Sequence, residues 1–377
     1  MTNRVFKGAV AALSALALTA GVGLSTANAA PYNKYPHQIS GMKAPQAKYI
    51  ENTFTSADGT KINYKLNDVP NEKGQVVVAH GLVEHSGRYD YVTYRLNMAG
   101  FDVWRMDHRG HGKSAEPYNK TKKGNVDDFG KLVDDMNTVV KMARKVADAK
   151  GQKVIMLGHS MGAIAVQHYS TKYPEGIDLA VSNGGGIAYN PYGGELPPVK
   201  YITPKNLPKE NLNNEKTIQE KLPFIIEASG FNAIAPVILD KAGADTDKIQ
   251  FTSPKPLQEA TLDNALGDYV CSDEVIRNDY GKDPLNGTSF TLSTGLQMGV
   301  STIYATYNAP KWTKPTLIMH GADDYIVPLY WDYNWYTALH SKDKSMVVWN
   351  GLYHETMNEP VRDQVIDYVI NWVNARI

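Results

Sequence analysis

Short continuous apolar segments alternate with longer amphipathic ones along much of this chain, and this alternation constrains the fold more than any other feature. Gln75–Ala79 and Val154–Leu157 are apolar almost throughout, as strands are when both of their faces are buried. Residues 127–149 instead repeat apolar side chains at helical spacing. This alternation predicts an α/β fold, in which helices flank a mostly parallel sheet, because parallel strands require crossover connections.

The alternation stops near residue 186 and resumes near residue 311. The segment between them has about 125 residues, is rich in proline, asparagine and glycine, and includes a helical pattern at Leu222–Leu239. It is too long for a loop, so we predict that 186–310 is a mainly helical cap inserted into one sheet. The core then comprises 53–185, which starts with a hairpin at 53–66, and 311–377. The cap should cover the carboxyl edge of the sheet, where open α/β sheets bind ligands.

The first 29 residues have the features of a secretory signal. Arg4 and Lys7 give a positive start, thirteen uncharged and mostly apolar residues follow at 9–21, and Ala27-Asn28-Ala29 supplies the small-x-small cleavage pattern. We predict cleavage after Ala29, an N-terminal extension at 30–52, and export to the periplasm or the medium. The apolar run is shorter than the roughly 20 residues that span a bilayer, so we expect a soluble protein with no stable membrane anchor.

The charge balance and the cysteine count exclude several kinds of partner. The chain has 39 Lys and Arg against 39 Asp and Glu, so it lacks the basic excess with which proteins bind nucleic acid. Its single cysteine, Cys271, cannot form an internal disulfide, and we interpret it as a packed small residue. His108 and His111 are close in sequence but have no further ligands at zinc spacing. We therefore expect no metal and no cofactor.

Gly158-His159-Ser160-Met161-Gly162 lies between a predicted buried strand and a predicted helix. This G-x-S-x-G pattern is typical of a nucleophile elbow, a strained strand-to-helix turn that exposes the serine hydroxyl. Both glycines are required because neighbouring segments pass too close for a Cβ atom. The pattern alone would occur by chance in about one chain in ten of this length. Its position after a buried strand is what makes Ser160 the predicted nucleophile.

A serine hydroxyl becomes nucleophilic when a base removes its proton, and in this kind of fold the acid and the histidine follow the serine along the chain. Asp323 and Asp324 follow one strand of the resumed alternation, and His354 follows the next. Only one of two adjacent aspartates can face the histidine, because their side chains point in different directions. No acidic residue directly follows the predicted strand at 179–182, so the alternative position for the acid is empty.

Hydrolysis through a serine also requires an oxyanion hole, in which two backbone N–H groups stabilise the developing negative charge. We expect one of them from Met161, at the start of the helix that follows the elbow. We expect the other from Leu82, in the loop after Gln75–Ala79. Only the backbone acts in this role, so both side chains remain available for packing.

Further segments resemble the monoacylglycerol lipases and lysophospholipases of the α/β-hydrolase superfamily, which are hydrolases of the serine aminopeptidase S33 type. The resemblance spans about residues 50–375 and is carried by His80–Tyr89 (HGLVEHSGRY), Asp107–Ser114 (DHRGHGKS), the cap segments Asp273–Ile276 and Asp283–Leu285, the elbow and the two loops after it. In related loops the acid stands three residues after a glycine, which favours Asp324. The resemblance implies the α/β-hydrolase fold with an inserted cap, a triad of Ser160, Asp324 and His354, no cofactor, and hydrolysis of monoacyl lipid esters.

Three functions remain open at this point. The first is an exported serine esterase that acts on monoacylglycerols or lysophospholipids through an acyl-enzyme. The second is an aminopeptidase resembling proline iminopeptidase, which would need cap carboxylates such as Glu227 and Glu274 to bind a substrate ammonium. The third is a catalytically inactive binding protein with the same fold, against which the complete triad argues. Two apolar cap runs, Leu222–Ile226 and Ala233–Leu239, either line an acyl channel or form the core of the cap itself.

Overall fold

The computed structural model describes residues 46–188, 198–207 and 249–377, together with Tyr32, Lys34 and Ile39. The predicted signal segment, the two apolar cap runs and Glu227 lie outside the described residues. The whole of the predicted core and the carboxyl half of the predicted cap lie inside them.

Nine strands of the described ranges form one sheet: β1 (Lys48–Thr55), β2 (Lys61–Asp68), β3 (Gly74–Ala79), β4 (Asp102–Met106), β5 (Lys153–His159), β6 (Leu179–Asn183), β7 (Val199–Ile202), β10 (Thr316–Gly321) and β11 (Lys344–Trp349). Their order in the sheet is β1-β2-β4-β3-β5-β6-β10-β11-β7. The predicted hairpin is present as the antiparallel pair β1–β2, and β2 is also antiparallel to β4. All other neighbours in this sheet are parallel, which confirms the predicted fold class. Two further strands, β8 (Thr261–Asp263) and β9 (Ser289–Thr291), form a separate antiparallel ribbon.

Helices cover both faces of the sheet, because alternate strand residues point to opposite faces and both sets are apolar. The α-helices in the described ranges are α1 (Asp90–Met98), α2 (Phe129–Lys150), α3 (Met161–Lys172), α4 (Lys255–Glu259), α5 (Glu274–Lys282), α6 (Leu292–Asn308), α7 (Leu329–Ala338) and α8 (Arg362–Asn374). One face of the sheet packs on α2, α3, α6 and α7, and the other face packs on α1 and α8. None of these helices combines the length and the hydropathy that crossing a bilayer demands.

Two elements within the predicted cap range of 186–310 pack with the core instead. β7 extends the main sheet as an edge strand parallel to β11, and α6 packs on α3 and α2. β7 carries no continuous apolar run, because half of its residues are exposed at the sheet edge, and so the sequence pattern did not indicate it. The remaining described part of the cap comprises α4, the β8–β9 ribbon and α5.

Candidate active site

Ser160 occupies the turn between β5 and α3, with φ 54° and ψ −123°. This is left-handed backbone, which non-glycine residues rarely adopt, so the turn carries the strain typical of a nucleophile elbow. The Ser160 N–H donates to the carbonyl of Asn183 at 3.0 Å, and the Ser160 carbonyl accepts from Ala163 and Ile164 at the start of α3. The strained turn is therefore held from both sides, and Ser160 itself is only half-buried.

The two glycines of the elbow allow backbone segments to cross at close range. A Cβ atom on Gly158 would lie 2.3 Å from the carbonyl oxygen of Gly162, and one on Gly162 would lie 2.2 Å from the carbonyl oxygen of Ala79. Both distances are far below van der Waals contact, and both neighbours are backbone atoms that cannot rotate away. The first turn of α3 can therefore sit against β3 and β5 only if these positions lack a side chain.

Gly162→Ala is expected to lower the free energy of unfolding by about 3 kcal/mol, because the added methyl group must displace β3. Gly281→Ala in α5 is the matched control, since a Cβ atom there meets nothing within 4 Å. Alanine at position 281 should leave stability unchanged or raise it by up to about 1 kcal/mol through helix propensity. Urea unfolding curves measure both effects, and equal midpoints for the two variants would contradict the steric explanation.

Asp324 and His354 lie against each other although they follow different strands. The Oδ2 atom of Asp324 is 2.7 Å from Nδ1 of His354, and Oδ1 accepts the N–H groups of Ile326 and Val327 at 2.8 and 2.9 Å. Burial alone would raise the pKa of Asp324, but the neighbouring His354 and His320 and the donated hydrogen bonds outweigh burial and lower it. The carboxylate therefore stays ionised and holds a proton on Nδ1 of His354, which leaves Nε2 of the same ring as a base.

The His354 ring lies beside the elbow. Its centroid is 4.5 Å from that of His159, the residue that precedes Ser160. Asn183, at the end of β6, joins the two loops: its Nδ2 lies 2.9 Å from Nδ1 of His159, and its Oδ1 accepts the Thr356 hydroxyl at 2.7 Å. Burial, with a smaller contribution from His354, lowers the pKa of His159 to about 3, so that this ring stays neutral. Sequence reasoning did not identify Asn183, because its role arises only when β6 lies next to β5 and the loop after β11 reaches it.

The loop after β3 approaches the elbow at Gly81, where a Cβ atom would lie 3.2 Å from Cβ of Ser160. His80 supports this loop, since its Nδ1 is 2.8 Å from the Gly81 carbonyl oxygen and its Nε2 accepts the His108 backbone N–H at 2.9 Å. Acceptance at Nε2 places the ring proton on Nδ1, so His80 donates to Gly81. The Leu82 N–H belongs to the same trans peptide unit as that carbonyl and therefore points away from His80.

A buried ion network continues from this loop to the histidine loop. Glu84 accepts the Gly81 N–H and the Tyr89 hydroxyl and pairs with Arg88. The fully buried Arg88 guanidinium also donates from both Nη atoms to the two oxygens of Glu355, the residue after His354. Burial would raise the pKa of Glu355, but Arg88 outweighs burial and lowers it to about 2. The network links the two loops that carry Leu82 and His354. The only sequence signal for it is that Glu84 and Arg88 lie in the HGLVEHSGRY segment.

Described elements of the predicted cap range contact both of these loops. The Gly287 N–H donates to the Val83 carbonyl at 2.7 Å, and the Glu355 N–H donates to the Val270 carbonyl at 2.7 Å. The Arg88 guanidinium lies 4.7 Å from the ring centroid of Tyr280 in α5. These described elements of the predicted cap range therefore adjoin the predicted catalytic residues.

Three other side chains considered in the sequence are buried. His108 and His111 pack beside His80, with ring centroids 4.2 and 5.4 Å from it. Burial lowers the pKa values of His108 and His111 to about 3 and about 4. Within the described ranges, no group of three or more His, Cys, Asp and Glu residues is arranged to hold a metal ion. Cys271 packs against Ile276, and burial raises the pKa of its thiol.

Residues 70–361 match the model of the family described as serine aminopeptidase, S33. The chain is 28% identical to a monoacylglycerol lipase of Mycolicibacterium smegmatis over 328 residues, which cover 87% of this chain and 98% of the relative. It is 23% identical to the monoglyceride lipase of Mus musculus over 354 residues, or 92% of each chain. The solved structure of a soluble variant of monoglyceride lipase from Saccharomyces cerevisiae, in complex with a substrate analogue, has the same fold. It superposes with a TM-score of 0.64 at 21% identity, over 92% of this chain and 98% of the yeast chain.

Proposed function

The chain belongs to the serine aminopeptidase S33 family of hydrolases, and on this premise we infer that it is a serine hydrolase that cleaves carboxylic esters. Within that activity we propose a monoacylglycerol or lysophospholipid substrate, a triad of Ser160, His354 and Asp324, and an acyl-enzyme intermediate. The observation that carries the proposal is the buried 2.7 Å contact between Asp324 and His354 beside the strained Ser160 elbow.

In the proposed reaction the Ser160 hydroxyl oxygen attacks the ester carbonyl carbon while Nε2 of His354 takes the hydroxyl proton. The backbone N–H groups of Leu82 and Met161 stabilise the negative charge that develops on the carbonyl oxygen. The carbon–oxygen bond to the alcohol then breaks, and the alcohol leaves with the proton from His354. A water molecule, deprotonated by His354, releases the fatty acid and restores Ser160. Asp324 retains its negative charge throughout and stabilises the transient imidazolium.

The names of the relatives support the substrate class. Proteins called monoacylglycerol or monoglyceride lipase align with this chain over almost their whole length. The aminopeptidase alternative requires a carboxylate that binds an ammonium group. The candidate Glu274 is exposed in the first turn of α5, where a negative charge favours the helix N-terminus without any ligand.

A substrate panel tests the proposed activity directly. We expect hydrolysis of p-nitrophenyl esters with the highest kcat/KM at medium acyl length, because an acyl channel would add apolar contact with each methylene group. Aminoacyl nitroanilides should remain uncleaved. Cleavage of the nitroanilides in preference to the esters would establish the aminopeptidase alternative. Rates that fall steadily from acetate upward would argue against an acyl channel.

We also propose that the protein is exported, on the sequence evidence for a signal at residues 1–29. The mature chain would begin at Ala30 and carry a net charge near −2, because Arg4 and Lys7 are removed. N-terminal sequencing of protein recovered from the medium and the periplasm tests the proposal, and an intact Met1 in all fractions would refute it.

A further inference from the structure

A second buried acid–histidine pair lies against Asp324. His320 ends β10 with its Nδ1 atom 2.8 Å from Oδ2 of Asp332 in α7. Its Nε2 atom lies 3.4 Å from Oδ2 of Asp324, the same oxygen that contacts Nδ1 of His354. The side chains of His320 and Asp332 are 0% exposed and that of Asp324 is 1% exposed. Asp332, His320, Asp324 and His354 therefore form a continuous buried chain of polar groups.

Hydrogen-bond partners determine how many protons the pair holds. Nε2 of His320 is 3.1 Å from the Val327 carbonyl oxygen, which can only accept, so Nε2 carries a proton. The short contact between Nδ1 and Asp332 requires one more proton between those two atoms. The pair thus holds two protons in total. If the second proton lies on Nδ1 of His320, the two side chains form an ion pair. If it lies on the Asp332 carboxyl group, both side chains are neutral.

The surrounding charges favour the proton on His320. Burial lowers the pKa of His320, but the carboxylates of Asp324 and Asp332 outweigh burial and raise it. Burial raises the pKa of Asp332, whose Oδ1 atom has no hydrogen-bond partner among the described residues, although His320 opposes that rise. A positive charge on His320 also neutralises part of the charge on Asp324, whose pKa is lowered despite its burial.

We propose that His320 and Asp332 are positioning residues for the hydrolytic reaction, and that a positive charge on His320, held by Asp332, orients the Asp324 carboxylate and sets the electrostatic field at His354. This inference rests on the proposed function. Among the described residues, His159 at the end of β5 faces this set, because the charges of His354 and Asp324 act on its ring, and Glu355 after β11 and Arg88 before α1 act on His159 in turn.

The geometry determines the direction in which a charge on His320 moves the pH profile of activity. His320 and His354 contact the same oxygen of Asp324. A positive charge on His320 therefore disfavours a second positive charge on His354, which forms when the base takes up a proton at low pH. Removing that cation makes the imidazolium at His354 more favourable. The enzyme would then lose its working base at a higher pH, and the acid limb of kcat/KM would move upward.

The experiment compares His320→Gln and Asp332→Asn with wild type in pH profiles of ester hydrolysis. Glutamine offers an N–H and a carbonyl of similar reach without charge, and asparagine removes the anion that holds the proton on His320. Both variants should move the half-maximal pH of the acid limb upward by about one unit, as Coulomb interaction between such close charges indicates. Their kcat at the optimum should fall less than about tenfold, because Ile326 and Val327 still hold Asp324.

His168→Gln is the control, since His168 is also fully buried, with Nδ1 3.0 Å from the Ser301 hydroxyl and Nε2 3.0 Å from Gln250. It should keep the wild-type acid limb. If all three variants melt at lower temperature but keep that limb, His320 and Asp332 are merely structural and the inference is wrong.

A second measurement does not depend on activity. Nitrogen-15 histidine spectra of the wild type at pH 7 should contain the signal of a doubly protonated imidazole, because the carboxylates of Asp324 and Asp332 raise the pKa of His320, and this signal should be missing from His320→Gln. A neutral His320 at pH 7 would overturn the inference even if the variants failed to fold. A wild type that cleaves no ester would instead contradict the proposed function, while the spectra would still report the charge on His320.

Discussion

Ser160→Ala is expected to lower kcat for ester hydrolysis by on the order of 10⁶, with little change in stability. The substitution removes the only atom that can form the acyl-enzyme at the elbow, whereas the backbone bonds of Ser160 to Asn183 and to the start of α3 remain available to alanine. The φ of 54° is unfavourable for serine and alanine alike, so the strain of the turn should not change greatly.

Covalent labelling with a fluorophosphonate probe measures the same prediction without a substrate. The wild type should bind one probe per chain, and Ser160→Ala should bind none. Ser170→Ala is the matched control, because Ser170 is a fully buried serine on the adjoining helix α3 and its hydroxyl donates to the Gln167 carbonyl at 2.9 Å. Labelling of the Ser160→Ala variant at another residue would show that the nucleophile lies elsewhere. An unlabelled wild type would favour the inactive binding protein.

Asp324→Asn is expected to keep the fold and to lose about 10⁴ in kcat, as other enzymes do when the orienting carboxylate becomes an amide. With the amide nitrogen at the Oδ2 position, an N–H donor would face Nδ1 of His354 and force the ring proton onto Nε2. His354 could then no longer accept the Ser160 proton. With the amide reversed, its NH₂ group would face the N–H donors of Ile326 and Val327, so neither orientation satisfies all the partners.

Asp323→Asn is the matched control at the adjacent position. The Asp323 N–H donates to the Leu352 carbonyl at 3.0 Å, a backbone bond that the substitution leaves intact. We expect only a modest loss of activity, through the stability of the loop. Steady-state kinetics of the two purified variants decide between the aspartates, and the reverse ranking would assign the acid to Asp323.

Much of the core could be predicted because its signals are local. The strands at β3 and β5 are continuous apolar runs, and the helix at α2 repeats its apolar side chains every three or four residues, so the sheet with its flanking helices follows from these patterns. The G-x-S-x-G pattern is equally local, since it reports a steric requirement within five residues. β7 and α6 fall within the predicted cap range because nothing in their own sequence shows which layer they join.

The sequence by itself determined the α/β class, the family, and the set of residues from which a serine hydrolase could be built. The loop spacing also favoured Asp324 over Asp323. Only the tertiary structure decided how the polar residues meet: Asn183 joins His159 to Thr356, Arg88 reaches Glu355 across 267 positions, and Asp332 pairs with His320. The physical reason is that the period of a strand (two residues) or of a helix (3.6 residues) can be recognised within one segment of sequence. A hydrogen bond between two loops depends instead on which strands are neighbours in the sheet. That neighbourhood is set by the packing of the whole chain.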